Sequence, residues 1–111
     1  MTGEALLAYS TFPDLETARR IAQQLVSENL TACANILPVA ESIYRWKGKI
    51  EHATETLALF KTTSAAYPAF QVRLQALHPY DVPEIICVRI VDGLPDYLRW
   101  VDENTNALPA N

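Results

Sequence analysis

Four side chains of this sequence are of types that bind soft or borderline metal ions: Cys33, Cys87, His52 and His78. Thiolate and imidazole groups suit copper and zinc, whereas magnesium and calcium favour oxygen ligands. The spacing forms no CxxC, HxxxH or HExxH motif, and one cysteine with one histidine cannot complete a four-coordinate site. A site built on Cys33 and His78 would therefore also need Glu84 or Glu55, water, or a neighbouring subunit.

Each of these side chains also has a structural interpretation. Cys33 suits a small buried apolar position, and Cys87, which lies among isoleucine and valine, is expected in the core. His78 stands at the end of a predicted helix, where its side chain is favourable near the negative end of the helix dipole. His52 lies in a polar stretch and is expected to be solvated. For Cys33 and His78 the sequence leaves both interpretations open.

A second set of side chains, Tyr44, Trp46, Tyr80 and Lys61, could line a ligand cleft between subunits. Aromatic packing at an interface explains the three rings equally well. Lys61 could bind an anion or simply pair with a carboxylate. A glycine-rich phosphate loop is absent, which disfavours nucleotide binding. The only glycines are Gly3, Gly48 and Gly93.

Several classes of function are disfavoured. No nucleophile elbow is present, so an enzyme is not expected. The net charge of −4 comes without a basic block, which argues against a nucleic-acid partner. No apolar stretch approaches the roughly 20 residues that cross a bilayer. Two cysteines without a visible secretory signal indicate free thiols in a reducing compartment, and the cytoplasm is the expected location.

Hydrophobic periodicity and turn signals define the elements that must position these residues. A capping hydroxyl at Thr11, a proline and the acids Asp14 and Glu16 predict the start of the first helix. In chain order the sequence predicts strand 4–11, a helix to Val26, strand 31–46 with a break at Pro38, strand 50–63, helix 64–77, strand 85–91 and a short helix 94–101.

The two middle strands form a hairpin that is longer than a small sheet needs, because a usual strand has about 5–6 residues. Lys47-Gly48 is the predicted two-residue turn, with glycine supplying a positive φ. Pro38 cannot donate to a sheet ladder and is expected at an edge or bulge. The hairpin should project from the domain, and its Ile43, Tyr44 and Trp46 would then need a second subunit to cover them.

This order of elements predicts an α+β, ferredoxin-like split βαβ fold: βαββαβ plus a short C-terminal helix. The sheet is antiparallel, both long helices lie on one face, and a long hairpin projects. Residues 1–111 are expected to form one domain, with residues 104–111 as a frayed tail.

The sequence resembles the CutA divalent-cation tolerance family over nearly its whole length. The matching stretches are Thr31 to Ile36 with Pro38, Tyr44 to Ile50, Lys61-Thr62, His78 to Ile85, and Tyr97 to Trp100. The resemblance implies a ferredoxin-like subunit in a tight homotrimer, similar in shape to the PII signalling proteins. It also implies an association with copper and other divalent metals, and its motifs include Cys33 and His78.

Two departures from the family pattern bear on the site. Asp81 stands where the family usually has glutamate. Residues 52–54 replace a segment that is commonly acid-rich, which counts against a carboxylate cluster on the hairpin.

Together these observations predict a cytoplasmic, non-catalytic homotrimer that responds to divalent metal ions. Cys33, His78 and Glu84 are the predicted metal ligands, and Cu(II) or Zn(II) would bind reversibly. No cofactor is required for folding. The alternative is a PII-like sensor or scaffold that binds a small anion or a partner protein in intersubunit clefts lined by Tyr44, Trp46, Lys61 and Tyr80.

Overall fold

A computed structural model of the chain describes residues 4–105. Its elements are β1 (Ala5–Phe12), α1 (Leu15–Ser27), β2 (Cys33–Trp46), β3 (Lys49–Thr63), α2 (Tyr67–Leu77), β4 (Ile86–Arg89) and α3 (Pro95–Glu103). The strands form one antiparallel sheet in the order β2-β3-β1-β4. The predicted ferredoxin-like topology is confirmed. None of the helices in this range is long and apolar enough to cross a membrane.

The hydrophobic core lies between one face of the sheet and the two long helices. Along β1 every second residue is buried, as expected for a strand with one covered face. The core residues of the central strands are Ala8, Phe12, Ala58 and Phe60, and those of the helices are Ala18, Ile21, Ala22, Leu25, Phe70 and Leu74. Cys87 packs partly buried against this cluster, as predicted.

Most element boundaries differ from the sequence prediction by one to three residues, as at α2, which begins at Tyr67 rather than residue 64. The side chain that caps α1 belongs to Asp14, whose Oδ1 accepts the Thr17 N–H at 2.7 Å. The prediction of a Thr11 cap is wrong because Thr11 still belongs to β1 and pairs with Leu57. The last strand ends at Arg89 rather than residue 91, although the Ile90 N–H still bonds the carbonyl of Ala5, the first residue of β1.

The predicted C-terminal tail is only partly within the described range. Asn104 ends α3, and its N–H bonds the Trp100 carbonyl. Thr105 is buried. Residues 106–111 lie outside the described residues.

The hairpin of β2 and β3 projects beyond the rest of the sheet, as predicted. Strand β1 ends at Phe12, opposite Thr56, so residues 49–55 of β3 pair only with β2. A bulge between Leu37 and Ala40 interrupts the register at Pro38. The apolar residues of the outer hairpin stay exposed in the single chain: Ile43 by 62%, Tyr44 and Trp46 by 44% each, and Ile50 by 54%.

The hairpin turn has positive φ at both central residues, 50° at Lys47 and 81° at Gly48. A two-residue turn with this geometry matches the right-handed twist of the flanking strands. A Cβ at position 48 would meet no atom within 4 Å, so only the backbone conformation demands glycine there.

We expect Gly48→Val to destabilise the fold by about 1–2 kcal/mol, because a β-branched residue is strained at positive φ. Lys47→Ala should change little, and Lys47→Asn should stabilise the fold slightly, since asparagine adopts this conformation readily. Thermal unfolding of the three variants checks this. Equal midpoints for Gly48→Val and Lys47→Ala would contradict the assigned turn.

Candidate functional site

A groove of about 820 Å³ lies between the outer hairpin and the loop of residues 79–84. Its walls bring together three of the predicted cleft residues, Tyr44, Trp46 and Tyr80, and also Glu84. Tyr44 and Trp46 reach it together because alternate residues of a strand share a face. The sequence predicts these rings as cleft residues but contains no signal that the loop faces the hairpin.

The loop is fixed in place by His78, which is 7% exposed at the end of α2. Its Nε2 lies 2.8 Å from the Thr11 carbonyl oxygen, and the Tyr80 N–H bonds its Nδ1 at 3.2 Å. Since Nδ1 accepts the hydrogen bond from Tyr80, Nε2 carries the ring hydrogen and donates a hydrogen bond to the Thr11 carbonyl. The ring also stacks on Phe12, with centroids 4.8 Å apart. His78 therefore joins the loop to the end of β1.

The environment of His78 favours its neutral form. Burial lowers the pKa of the imidazole, and the Thr11 carbonyl and the Glu55 charge oppose that shift without overcoming it. A proton on Nδ1 would also replace the acceptor that the Tyr80 N–H needs. Protonation of His78 would thus break its hydrogen bond with the Tyr80 N–H and leave the bond from Nε2 to Thr11 in place.

A second contact joins the loop to the hairpin. The Tyr80 hydroxyl donates to Glu55 Oε2 at 2.5 Å, and Glu55 is only 8% exposed. Burial and the neighbouring carboxylate raise the pKa of Tyr80, so the phenol keeps its proton. A hydrogen bond to a buried charged group typically contributes about 1.5–3 kcal/mol. The hydrogen bond between Tyr80 and Glu55 therefore joins the loop to the hairpin at the base of the groove.

Cys33 and Lys61 lie elsewhere, side by side on the sheet face opposite α1 and α2. The Cys33 Sγ is 3.6 Å from the hydroxyl of Tyr97 on α3, and this contact is the main reason that the pKa of Tyr97 is raised. The Lys61 ammonium donates to Asn35 Oδ1. Lys61 thus pairs with an amide and is not among the groove residues.

The predicted metal ligands do not meet within one chain. Cys33 on β2 pairs with Lys61 on β3, and Lys61 pairs in turn with Leu7 on β1. Leu7 lies four residues before Thr11, whose carbonyl oxygen contacts His78. That spacing corresponds to about 13 Å along the strand. Both His78 nitrogens are engaged in hydrogen bonds. Between residues 4 and 105 no group of three or more His, Cys, Asp or Glu side chains is arranged to hold a metal ion.

The fold and the groove define a small ferredoxin-like protein whose overlong hairpin faces a proline-bounded loop. The sequence profile of the CutA1 divalent ion tolerance protein family matches residues 6–104. The chain therefore belongs to that family, and the resemblance that its sequence motifs indicated is confirmed.

Individual relatives agree with this assignment. The divalent-cation tolerance protein CutA of Thermus thermophilus is 50% identical over 86% of this chain and 92% of its own length. The chain spans only 60% of mouse protein CutA, with 40% identity over 96% of the chain. A crystal structure of CutA from Xylella fastidiosa superimposes with a TM-score of 0.90 at 46% identity, covering 93% of this chain and 99% of that one. A structure from Archaeoglobus fulgidus, described as a periplasmic divalent cation tolerance protein, has a TM-score of 0.88 at 38% identity, covering 92% and 99%.

The state of His78 predicts a specific pH dependence of stability. Its folded-state pKa lies below the unfolded value of about 6.5, so the unfolded chain binds more protons below that pH. The stabilisation is complete above pH of about 6.5 and is lost as the pH falls further. The carboxyls of Asp14 and Glu28 also have lowered pKa values. Their contributions to stability are lost only as the pH falls below 3.8 and 4.5, respectively.

We expect the thermal midpoint of the wild type to fall between about pH 7.5 and pH 5.5. His78→Gln should be less stable but should lose most of this slope. The matched control is His52→Gln, because His52 is exposed on the hairpin and should leave the slope intact. Equal slopes for the wild type and His78→Gln would contradict the assigned role of His78.

Proposed function

We propose that this chain acts in divalent-cation tolerance as a metal-binding homotrimer without catalytic activity. The observation that supports this most strongly is the family match over residues 6–104, together with relatives named as divalent-cation tolerance proteins. Both cysteines, Cys33 and Cys87, are free thiols in the described chain. That state suits a reducing compartment, and we propose the cytoplasm as the location.

Self-association is supported by apolar surface that one chain leaves uncovered. On the sheet face opposite the long helices, Leu37 and Ile86 are each 43% exposed and Val88 is 53% exposed. The outer hairpin adds Ile43 and Ile50. Exposed apolar side chains of this size and number are typical of a surface that another protein chain covers. The number of three subunits is the state that the family resemblance implies.

A metal site would then be completed between subunits. Among the predicted ligands, Cys33 is partly exposed and has only a weak sulfur–hydroxyl contact to Tyr97. His78 would have to give up one of its two ring hydrogen bonds, which makes it the costlier ligand. We therefore propose Cys33 as the principal ligand of Cu(II) or Zn(II), with Glu84, His78 or a neighbouring chain supplying the others.

Titration of the metal-free protein with Cu(II) and Zn(II) tests this proposal. We expect Cys33→Ser to weaken binding at least about tenfold, because a soft thiolate ligand is lost. Affinity should rise between about pH 6 and 8.5, since the thiol must lose its proton. Cys87→Ser is the matched control and should bind like the wild type. If Cys33→Ser and His78→Ala both bind as tightly as the wild type, neither residue is a ligand.

A second candidate function, a sensor that binds a small molecule in its clefts, is favoured by the groove itself. Its volume of about 820 Å³ falls in the range of about 300–1,000 Å³ that is usual for ligand pockets. The cleft predicted from sequence included Lys61 as an anion ligand. Lys61 instead bonds Asn35 on the sheet face opposite α1 and α2. The hypothesis that a small anion binds in the groove therefore has little support.

A further inference from the structure

The loop between β4 and α3 contains the only Asp-Gly pair of the sequence, Asp92-Gly93. Residues 90–94 have no regular secondary structure, and both members of the pair are exposed. An aspartate can react with its own main chain when the next backbone nitrogen attacks the side-chain carboxyl carbon and closes a five-membered ring. Glycine at the next position favours this reaction because it has no Cβ to hinder the approach. The sequence thus places a labile pair in an open loop.

The geometry of the pair brings the two reacting groups together. The Gly93 N–H donates a hydrogen bond to Asp92 Oδ1 at 2.8 Å. The nitrogen therefore already lies beside the carboxyl group that it would attack. The same bond joins the hydrogen that the nitrogen must lose to an oxygen of the group that must leave as water.

The other aspartates are arranged differently. Asp14 Oδ1 accepts the Thr17 N–H, and Asp96 Oδ1 accepts from the Arg99 guanidinium at 2.9 Å. Within residues 4–105, Asp92 is the only aspartate whose carboxylate accepts a hydrogen bond from the next backbone N–H. The remaining four aspartates precede leucine, valine, tyrosine or glutamate, each of which has a Cβ.

The packing of α3 requires the glycine of the pair. A Cβ at position 93 would lie 3.2 Å from Cδ2 of Leu98, which belongs to α3. That distance is too short for an ordinary contact, so a larger residue would displace the Leu98 side chain. The side chain that would slow the reaction is therefore excluded by the contact between the loop and the helix.

The loop also lies away from the outer hairpin, which other copies of the chain are proposed to cover. The Ile90 N–H bonds the carbonyl of Ala5 at the start of β1, whereas the outer hairpin extends beyond Phe12 at the other end of that strand. Val91, next to the pair, is 96% exposed. Water therefore reaches the loop whether or not the outer hairpin is covered.

We propose that Asp92 is a site of spontaneous covalent modification, at which it converts through a cyclic succinimide to isoaspartate. The Gly93 nitrogen loses its proton and bonds to Asp92 Cγ, and the hydroxyl of the protonated carboxyl leaves with that proton as water. Water then adds to one of the two ring carbonyls. Addition at the backbone carbonyl carbon of Asp92 breaks its bond to the Gly93 nitrogen and gives isoaspartate, and addition at Cγ restores aspartate. One water is lost and one is gained, so no oxidant or reductant is needed.

The modification would act on the position of α3. Isoaspartate adds one carbon atom to the main chain directly before Gly93, whose backbone packs against Leu98. The next residue along, Tyr97, places its hydroxyl 3.6 Å from Cys33 Sγ on β2. We expect the lengthened connection to displace α3 from the sheet and to lower the thermal midpoint of the modified chain. This inference is independent of the proposed metal binding.

Incubation of the folded full chain in mildly acidic buffer made with water enriched in heavy oxygen tests the proposal. Hydrolysis of a succinimide places one heavy oxygen in residue 92. Digestion with trypsin in ordinary water gives a peptide of residues 90–99, which contains Asp92 and Asp96, and one of residues 74–89, which contains Asp81. Mass spectrometry with fragmentation should find heavy oxygen and isoaspartate at Asp92 at least about tenfold faster than at Asp81 or Asp96.

Two variants serve as matched controls. Asp92→Glu keeps the charge but would need a larger ring, so labelling at position 92 should stop. Asp92→Asn should react faster than the wild type, because ammonia leaves more readily than water, and it sets the time of incubation.

Equal labelling of Asp81, Asp92 and Asp96 would overturn the proposal, since the pair would then have no special reactivity. So would an unreactive Asp92→Asn variant, or a wild type that stays unlabelled at Asp92 long after Asp92→Asn is fully converted. A modified chain with an unchanged thermal midpoint would contradict the displacement of α3. Metal titration of Cys33→Ser is separate from all these outcomes.

Discussion

The constraint on which this structure depends is that its hairpin is longer than the sheet that supports it. Residues 49–55 of β3 have β2 on one side and no strand on the other. A two-stranded ribbon alone is at best marginally stable in water. The ribbon therefore needs contacts at its base, and the described chain supplies one through the hydrogen bond of Tyr80 to Glu55. His78 in turn joins that loop to β1.

These basal contacts also make the groove, so stability and binding involve the same few groups. Glu55 is buried by the loop that forms one wall, and Tyr80 contributes both the bond and a ring of the lining. A ligand in the groove would contact the hairpin and the loop together and would favour the arrangement that the hydrogen bonds already select. Apolar residues further out, such as Ile50, remain exposed in the single chain.

Local sequence signals predicted most of the fold but little of the site's detail. Pro38 and Gly48 marked the bulge and the turn because proline and glycine restrict the backbone wherever they stand. The bond between Tyr80 and Glu55 joins residues 25 positions apart and has no local signature. His78 was recognised as a potential ligand, but its two hydrogen bonds depend on where α2 ends relative to β1. The groove itself arises only when the hairpin and loop 79–84 face each other.

The most direct test of the central claim, that the overlong hairpin must be covered by other copies of the chain, is sedimentation equilibrium of the full chain at micromolar concentration. We expect a single species at three times the chain mass of 12.4 kDa, without a detectable folded monomer. A stable monomer with native circular dichroism at that concentration would contradict the account.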